Sequence, residues 1–207
     1  TSVDIEAENK LKTDLLKLLP NSLFVGEESF FENPNIIKNY NKKNFCWTVD
    51  PIDGTTNFIK GKERFAIMIA LTFKEKIIQS WIYKPLTEEF SYAKLQEGTF
   101  INDIKIMNTK EIGISNSIGS ISSKYWDEYY EKKIVNIKNK FINTNSYRCI
   151  GYEYVDIAKG DRNFTILSKL SPWDHIPGIL LVQESGGYVK HFNNSLYNHT
   201  IESNNLV

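Results

Sequence analysis

A layered mixed α/β or α+β architecture is the fold class this sequence predicts, on three observations. Strand-like apolar runs cluster in the first half of the chain, and helical patterns lie on either side of them. The third is a 41% hydrophobic content in 207 residues, enough apolar material for a real core. That length suits one compact domain or two small lobes, and no repeat, low-complexity tract or Pro/Gly/Ser linker marks a boundary.

In chain order, Leu11, Leu15, Leu16, Leu18 and Leu19 predict a helix from Ile5 to Leu19, stopped by Pro20. Ser22 to Val25 reads as a short strand entering Gly26-Glu27-Glu28-Ser29, and Phe45 to Val49 as a second strand ending at Asp50-Pro51. Ala66 to Phe73 and Ile77 to Tyr83 form a strand pair, with another strand near Phe90 to Ala93. Ile118 to Ser122 is a further strand, Trp126 to Ile137 a helix, and Tyr152 to Ala158 a helix reaching Gly160. Asp174 to Glu184 predicts a helix closed by Gly186-Gly187, with Pro177 in its first turn, and Tyr188 to Phe192 a strand.

A formal net charge of +0 excludes the basic field that a nucleic acid backbone needs, and short clusters such as Lys42-Lys43 and Lys132-Lys133 read as solvated surface. No apolar stretch is long enough to cross a bilayer, and Thr1-Ser2-Val3-Asp4 is not a signal peptide. Cys46 and Cys149 make no disulfide framework, and Cys46 sits in an apolar run as a buried thiol. The sequons at Asn163, Asn193 and Asn198 are expected by chance, so a cytoplasmic protein is expected.

The chemistry concentrates in Asp50-Pro51-Ile52-Asp53-Gly54-Thr55-Thr56. A strand delivers Asp50 to its end, Pro51 holds it extended, and a tight turn returns Asp53 beside it. Two carboxylates so close repel unless a cation lies between them. Gly54 permits close backbone approach, and Thr55-Thr56 can open a helix whose amides face an anion. Oxygen-only ligands favour Mg²⁺ over zinc. Taken alone, the same residues also fit an Asx-rich turn with Asp53 capping a helix, and Asp174 also fits a plain N-cap.

Residues 50–58 resemble, without a gap, the signature of the inositol monophosphatase superfamily. Gly26-Glu27-Glu28-Ser29 and Trp173-Asp174 with Gly186-Gly187 resemble its other motifs in the same order. Thr1 to Asp4 is similar to its upstream T-x-x-D, and Gly98 with Phe100-Ile101-Asn102 to a family strand ending, so the likeness spans nearly the whole chain. It implies an αβαβα sandwich of the inositol monophosphatase and fructose-1,6-bisphosphatase type, one unit over 1–207, with a metal- and phosphate-binding lobe at 1–115 and a smaller lobe at 116–207 supplying Asp174.

The resemblance further implies a Mg²⁺-dependent hydrolase of small phosphorylated metabolites, sensitive to lithium, with two or three ions. Glu27, Asp50 and the Ile52 carbonyl would hold the first ion, and Asp50, Asp53 and Asp174 the second, with a third near Glu27. Asp4 and Thr55 would orient and deprotonate the attacking water. Gly54, Thr55 and Thr56 would bind the phosphate, and Glu28 would stand behind the ligands. Homodimers are common among such proteins.

Two departures carry expectations of their own. Relatives have helical sequence before the motif that opens this chain, so an N-terminal helix is expected to be missing. Leu167 stands six residues before Trp173, where inositol-selective members place a glutamate, and leucine accepts no hydrogen bond from a sugar hydroxyl. Tyr152, Glu153 and Lys169 are candidates to line a pocket for a nucleoside or imidazole-bearing alcohol, with core packing of the tyrosines the alternative; a 3′(2′),5′-bisphosphate nucleotidase or a histidinol phosphatase are the enzymatic alternatives. A non-catalytic regulator that keeps the fold is the alternative from another class. His175 is expected to be structural or at the rim, and His191 and His199 show no partner pattern.

Overall fold

A computed structural model describes residues 1–41, 43–74, 76–108, 111–122, 124–169 and 171–198. Helix α1 (Ser2–Leu18) leads into β1 (Leu23–Gly26), α2 (Glu27–Glu32) and a 3-10 helix, Pro34–Asn41. Then follow β2 (Phe45–Asp53), α3 (Thr55–Ile59), β3 (Ala66–Phe73), β4 (Lys76–Lys84), β5 (Glu89–Lys94), β6 (Gly98–Ile101) and β7 (Ile104–Ile106). The remainder is a short 3-10 helix (Ile114–Asn116), β8 (Gly119–Ile121), α4 (Glu128–Lys138), α5 (Ile150–Lys159), β9 (Phe164–Ile166) and α6 (Pro172–Glu184).

Strands β1 to β7 form one sheet in sequence order, parallel between β1 and β2 and antiparallel thereafter; β8 and β9 pair in parallel as a second, small sheet. On one face of the large sheet, Leu11, Leu15, Leu16 and Leu19 pack against Phe24, Trp47, Val49 and Leu71. On the other face, the largest core joins Val25, Met68 and Ile82 of the sheet to Val155 of α5 and Ile176, Ile179 and Leu180 of α6. Beyond α5 and α6 lies the small sheet, where Ile121 and Ile166 pack on Ile134 of α4. The stacking is helix, sheet, helices, sheet, helix, the αβαβα order that the sequence resemblance implied. Among the described residues no helix is long and apolar enough to cross a membrane.

Several expected boundaries move. Helix α1 starts at Ser2, not Ile5, because the Thr1 hydroxyl accepts from the Asp4 amide as an N-cap, so Asp4 sits in its first turn. Strand β2 runs on through Pro51 to Asp53. Helix α6 begins at Pro172 with Ser171 as N-cap, so Asp174 does not head it, and Pro177 lies inside it and removes an interior donor. The strand expected from Tyr188 to Phe192 is not formed. That segment turns back on itself through Asn193, whose side chain accepts from the Ser195 amide, leaving a single bridge between Lys190 and Leu196.

Candidate active site

The site lies where β1 and β2 end together. Their parallel register sets Gly26 opposite Val49, so Glu27 and Asp50 emerge side by side. Asp50 and Asp53 are an odd number of residues apart and would point to opposite faces of a regular strand. A register shift between them, at the donorless Pro51, turns both carboxylates the same way. Asp50 and Asp53 are buried; Glu27 and Asp174, the latter brought in by the first turn of α6, are partly exposed to an adjoining cavity of about 1120 Å³.

The four carboxylates act on one another's charge. Burial pushes Glu27 up to about 7, helped by the charges of Glu28, Asp4 and Asp53. Burial likewise raises Asp174 to about 8, with Asp53 and Glu27 adding to it. Asp50 is held well above the usual carboxylate range by burial and then by Asp53, Asp174 and Glu27. Asp53 is raised by burial, against the hydrogen bonds it accepts. Among the described residues no salt bridge reaches any of the four.

Each central carboxylate has one oxygen already committed. Asp50 Oδ1 accepts from the Ile52 amide at 3.0 Å, while Asp53 Oδ2 accepts from the Gly151 amide at 2.6 Å and the Cys149 thiol at 3.0 Å. Glu27 and Asp50 also share a side-chain hydrogen bond, so the carboxyl groups of the two strand ends meet. A cluster of oxygen donors without a countercharge fits hard divalent cations, since ionised carboxylates persist out of water only when paired. As arranged, no group of three or more His, Cys, Asp or Glu side chains among the described residues could hold an ion.

Of the other expected residues, Thr55 and Asp4 do meet. Thr55 Oγ1 lies 3.0 Å from the Ile52 carbonyl and 3.4 Å from Asp4 Oδ1. Gly54 takes φ +84° ahead of α3, and a Cβ there would meet the Arg64 carbonyl and the Cys149 Cβ at 3.0 Å. The first turn of α3 leaves the Thr55 and Thr56 amides without partners inside the helix. Glu28 does not line the cavity; burial raises it, opposed by the N-terminal amine and helped by Asp4, Glu8 and Glu32.

Tyr152 is also absent from the cavity. It packs in the core, its hydroxyl 3.3 Å from the Glu63 carbonyl, whereas Glu153, Leu167 and Lys169 do line the cavity. His175 is structural: it is buried between the Tyr154 hydroxyl and the Lys169 carbonyl, and burial lowers it to about 3. His191 is buried and stacks with Tyr197, and His199 lies outside the described residues.

Two contributors escaped the sequence reading. Glu8 is buried and accepts from the Glu28 and Ser29 amides, both at 2.8 Å, fixing the start of α2 and with it Glu27. Its position four residues after Asp4, on one helix face, was an available signal. Cys149 gave none, because its contact with Asp53 spans 96 positions of sequence.

The sequence model of the inositol monophosphatase family matches residues 1–207. The chain is 27% identical over 214 residues to a Thermotoga maritima fructose-1,6-bisphosphatase/inositol-1-monophosphatase, covering 100% of this chain and 78% of that protein. It is 30% identical over 199 residues to the Escherichia coli (strain K12) Nus factor SuhB, covering 93% of this chain and 71% of that protein. The crystal structure of inositol monophosphatase-II from Staphylococcus aureus MSSA476 superposes with a TM-score of 0.86 at 24% identity, covering 99% of this chain and 75% of that one, a likeness of fold.

Proposed function

The chain belongs to the inositol monophosphatase family, and on that premise we propose that it hydrolyses the phosphate monoester of a small alcohol with divalent cations, Mg²⁺ foremost. The observation that carries this reading is the gathering of Glu27, Asp50, Asp53 and Asp174 beside one cavity, with no salt bridge to any of the four among the described residues. These four side chains and the Ile52 carbonyl would hold the cations. Cations held there would lower the pKa of a water and stabilise charge on the phosphoryl and leaving oxygens. Thr55, bridging Ile52 and Asp4, orients the attacking water, and Asp4 receives its proton. The free amides at the start of α3, with Gly54 allowing close approach, hold the phosphate oxygens.

Purified protein is expected to release inorganic phosphate from a phosphorylated metabolite only with Mg²⁺ present. Asp50→Asn and Asp174→Asn should each lower the rate by at least about a hundredfold, since each removes a charge from the cation site. No release from inositol, sugar, nucleotide or amino-alcohol phosphates would overturn the reading. A second reading, a regulator that keeps the fold, draws on the Nus factor SuhB relative. It predicts that Asp50→Asn leaves the protein's cellular role intact, which a complementation assay decides.

A further inference from the structure

One wall of the cavity is built around Glu153, on the first turn of α5 and only 1% exposed. Its carboxylate is saturated by donors. One oxygen accepts from the Ser146 hydroxyl at 2.8 Å and the Tyr147 amide at 2.7 Å. The other accepts from the Ser120 hydroxyl, in a short hydrogen bond, with the Thr165 oxygen 3.3 Å away. The parallel register of β8 and β9 sets Ser120 beside Thr165, so the small sheet itself builds half of this cluster. No salt bridge among the described residues reaches Glu153.

A serine hydroxyl has one proton and two lone pairs. Once Ser120 and Ser146 have given their protons to Glu153, their oxygens can only accept. Ser146 takes one bond from the Arg148 amide at 3.0 Å and Ser120 takes one from the Thr165 hydroxyl at 2.8 Å, which leaves one lone pair on each. Both serines line the cavity, as does Leu167, which has nothing to offer a polar group.

We propose that Glu153 is a positioning residue for substrate selectivity, making this wall a hydrogen-bond acceptor that favours phosphate esters of donor-rich alcohols, such as polyols and amino alcohols. The proposal rests on the phosphatase reading and adds the class of leaving group. It also gives this chain a route to hydroxyl recognition that bypasses Leu167.

Glu153→Gln tests it with little change of shape. The glutamine carbonyl can keep the Tyr147 amide, but its NH₂ then faces Ser120 and must be accepted by it, turning the Ser120 proton towards the cavity. The measurement is kcat/KM for inositol 1-phosphate, rich in hydroxyl donors, against n-butyl phosphate, whose leaving alcohol carries no further donor. The inositol-to-butyl ratio is expected to fall by about tenfold, the worth of one hydrogen bond, mainly through KM. Should Glu153→Gln fail to fold, the Ser120→Ala/Ser146→Ala double variant is expected to lower the same ratio. Equal losses on both esters would mean that Glu153 only supports the fold, and an unchanged ratio would mean that the wall does not read the alcohol; either overturns the inference alone. A wild-type protein that releases phosphate from neither ester overturns the phosphatase reading, and this inference with it.

Discussion

Cys149 shows how much a single buried atom can do for a neighbouring carboxylate. Its thiol and the Gly151 amide converge on one oxygen of Asp53, fixing the carboxylate so that the other oxygen is presented to the site. Groups that orient a ligand in this way typically govern metal affinity by about ten- to a hundredfold. Cys149→Ala is therefore expected to weaken Mg²⁺ binding by about tenfold in calorimetric titration, while Cys149→Ser, which keeps a donor, stays within about threefold of wild type. Equal affinities for all three proteins would show that the thiol merely fills space. Asp50 and Asp53 were legible in the sequence because strand, proline and turn are local signals. Asp174 and Glu27 were found through their motifs, since no local pattern announces which distant strand ends will meet. Cys149 was illegible for the converse reason: its apolar surroundings are those of any core cysteine.

Helices α5 and α6 carry Glu153 and Asp174, so their mutual packing fixes the distance between the cavity wall and the carboxylates. Gly178, inside α6, is where they approach. A Cβ there would lie 2.0 to 2.4 Å from the Tyr154 ring, which is itself locked by its hydroxyl to His175. Glycine costs a helix interior about 1 kcal/mol against alanine, so close packing must offset that loss. Gly178→Ala is expected to destabilise the fold by about 2 kcal/mol through overpacking, seen as a lower midpoint in urea at unchanged slope. An unchanged or raised midpoint would show that the helices can part without penalty. The apolar periodicity of α6 was plain in sequence, but its start was misplaced by two residues because Trp173-Asp174 drew the boundary onto the motif. The strand expected from Tyr188 failed for a different reason. Alternation alone cannot say whether a neighbouring edge exists, and the Asn193 turn closed the segment on itself.

At the scale of the whole molecule, the large sheet and the second helix layer are joined by charge as well as by apolar packing. Lys84, on β4, is almost fully buried, 2.6 Å from Glu89 on β5 and 3.5 Å from Asp156 on α5. Its ammonium also sits 4.4 Å from the centre of the Tyr152 ring, and Lys159 of α5 approaches Glu89 at 3.4 Å. Burial alone would raise Glu89, but the bond to Lys84 and the charges of Lys84 and Lys159 win, and its folded-state pKa lies below the usual value. The sign follows by linkage. A carboxylate depressed on folding binds fewer protons in the native state, so its contribution is present above the unfolded pKa of about 4.3 and is lost as pH falls through the lower folded value. Removing one partner of a buried pair also leaves Lys84 undercompensated. Glu89→Gln is therefore expected to lower the thermal midpoint at pH 7, and the gap from wild type should narrow steadily as pH drops from about 5 to about 3. Circular dichroism melts across that range measure both effects. A gap that stays constant with pH would mean that the Glu89 charge adds nothing to the join between these layers.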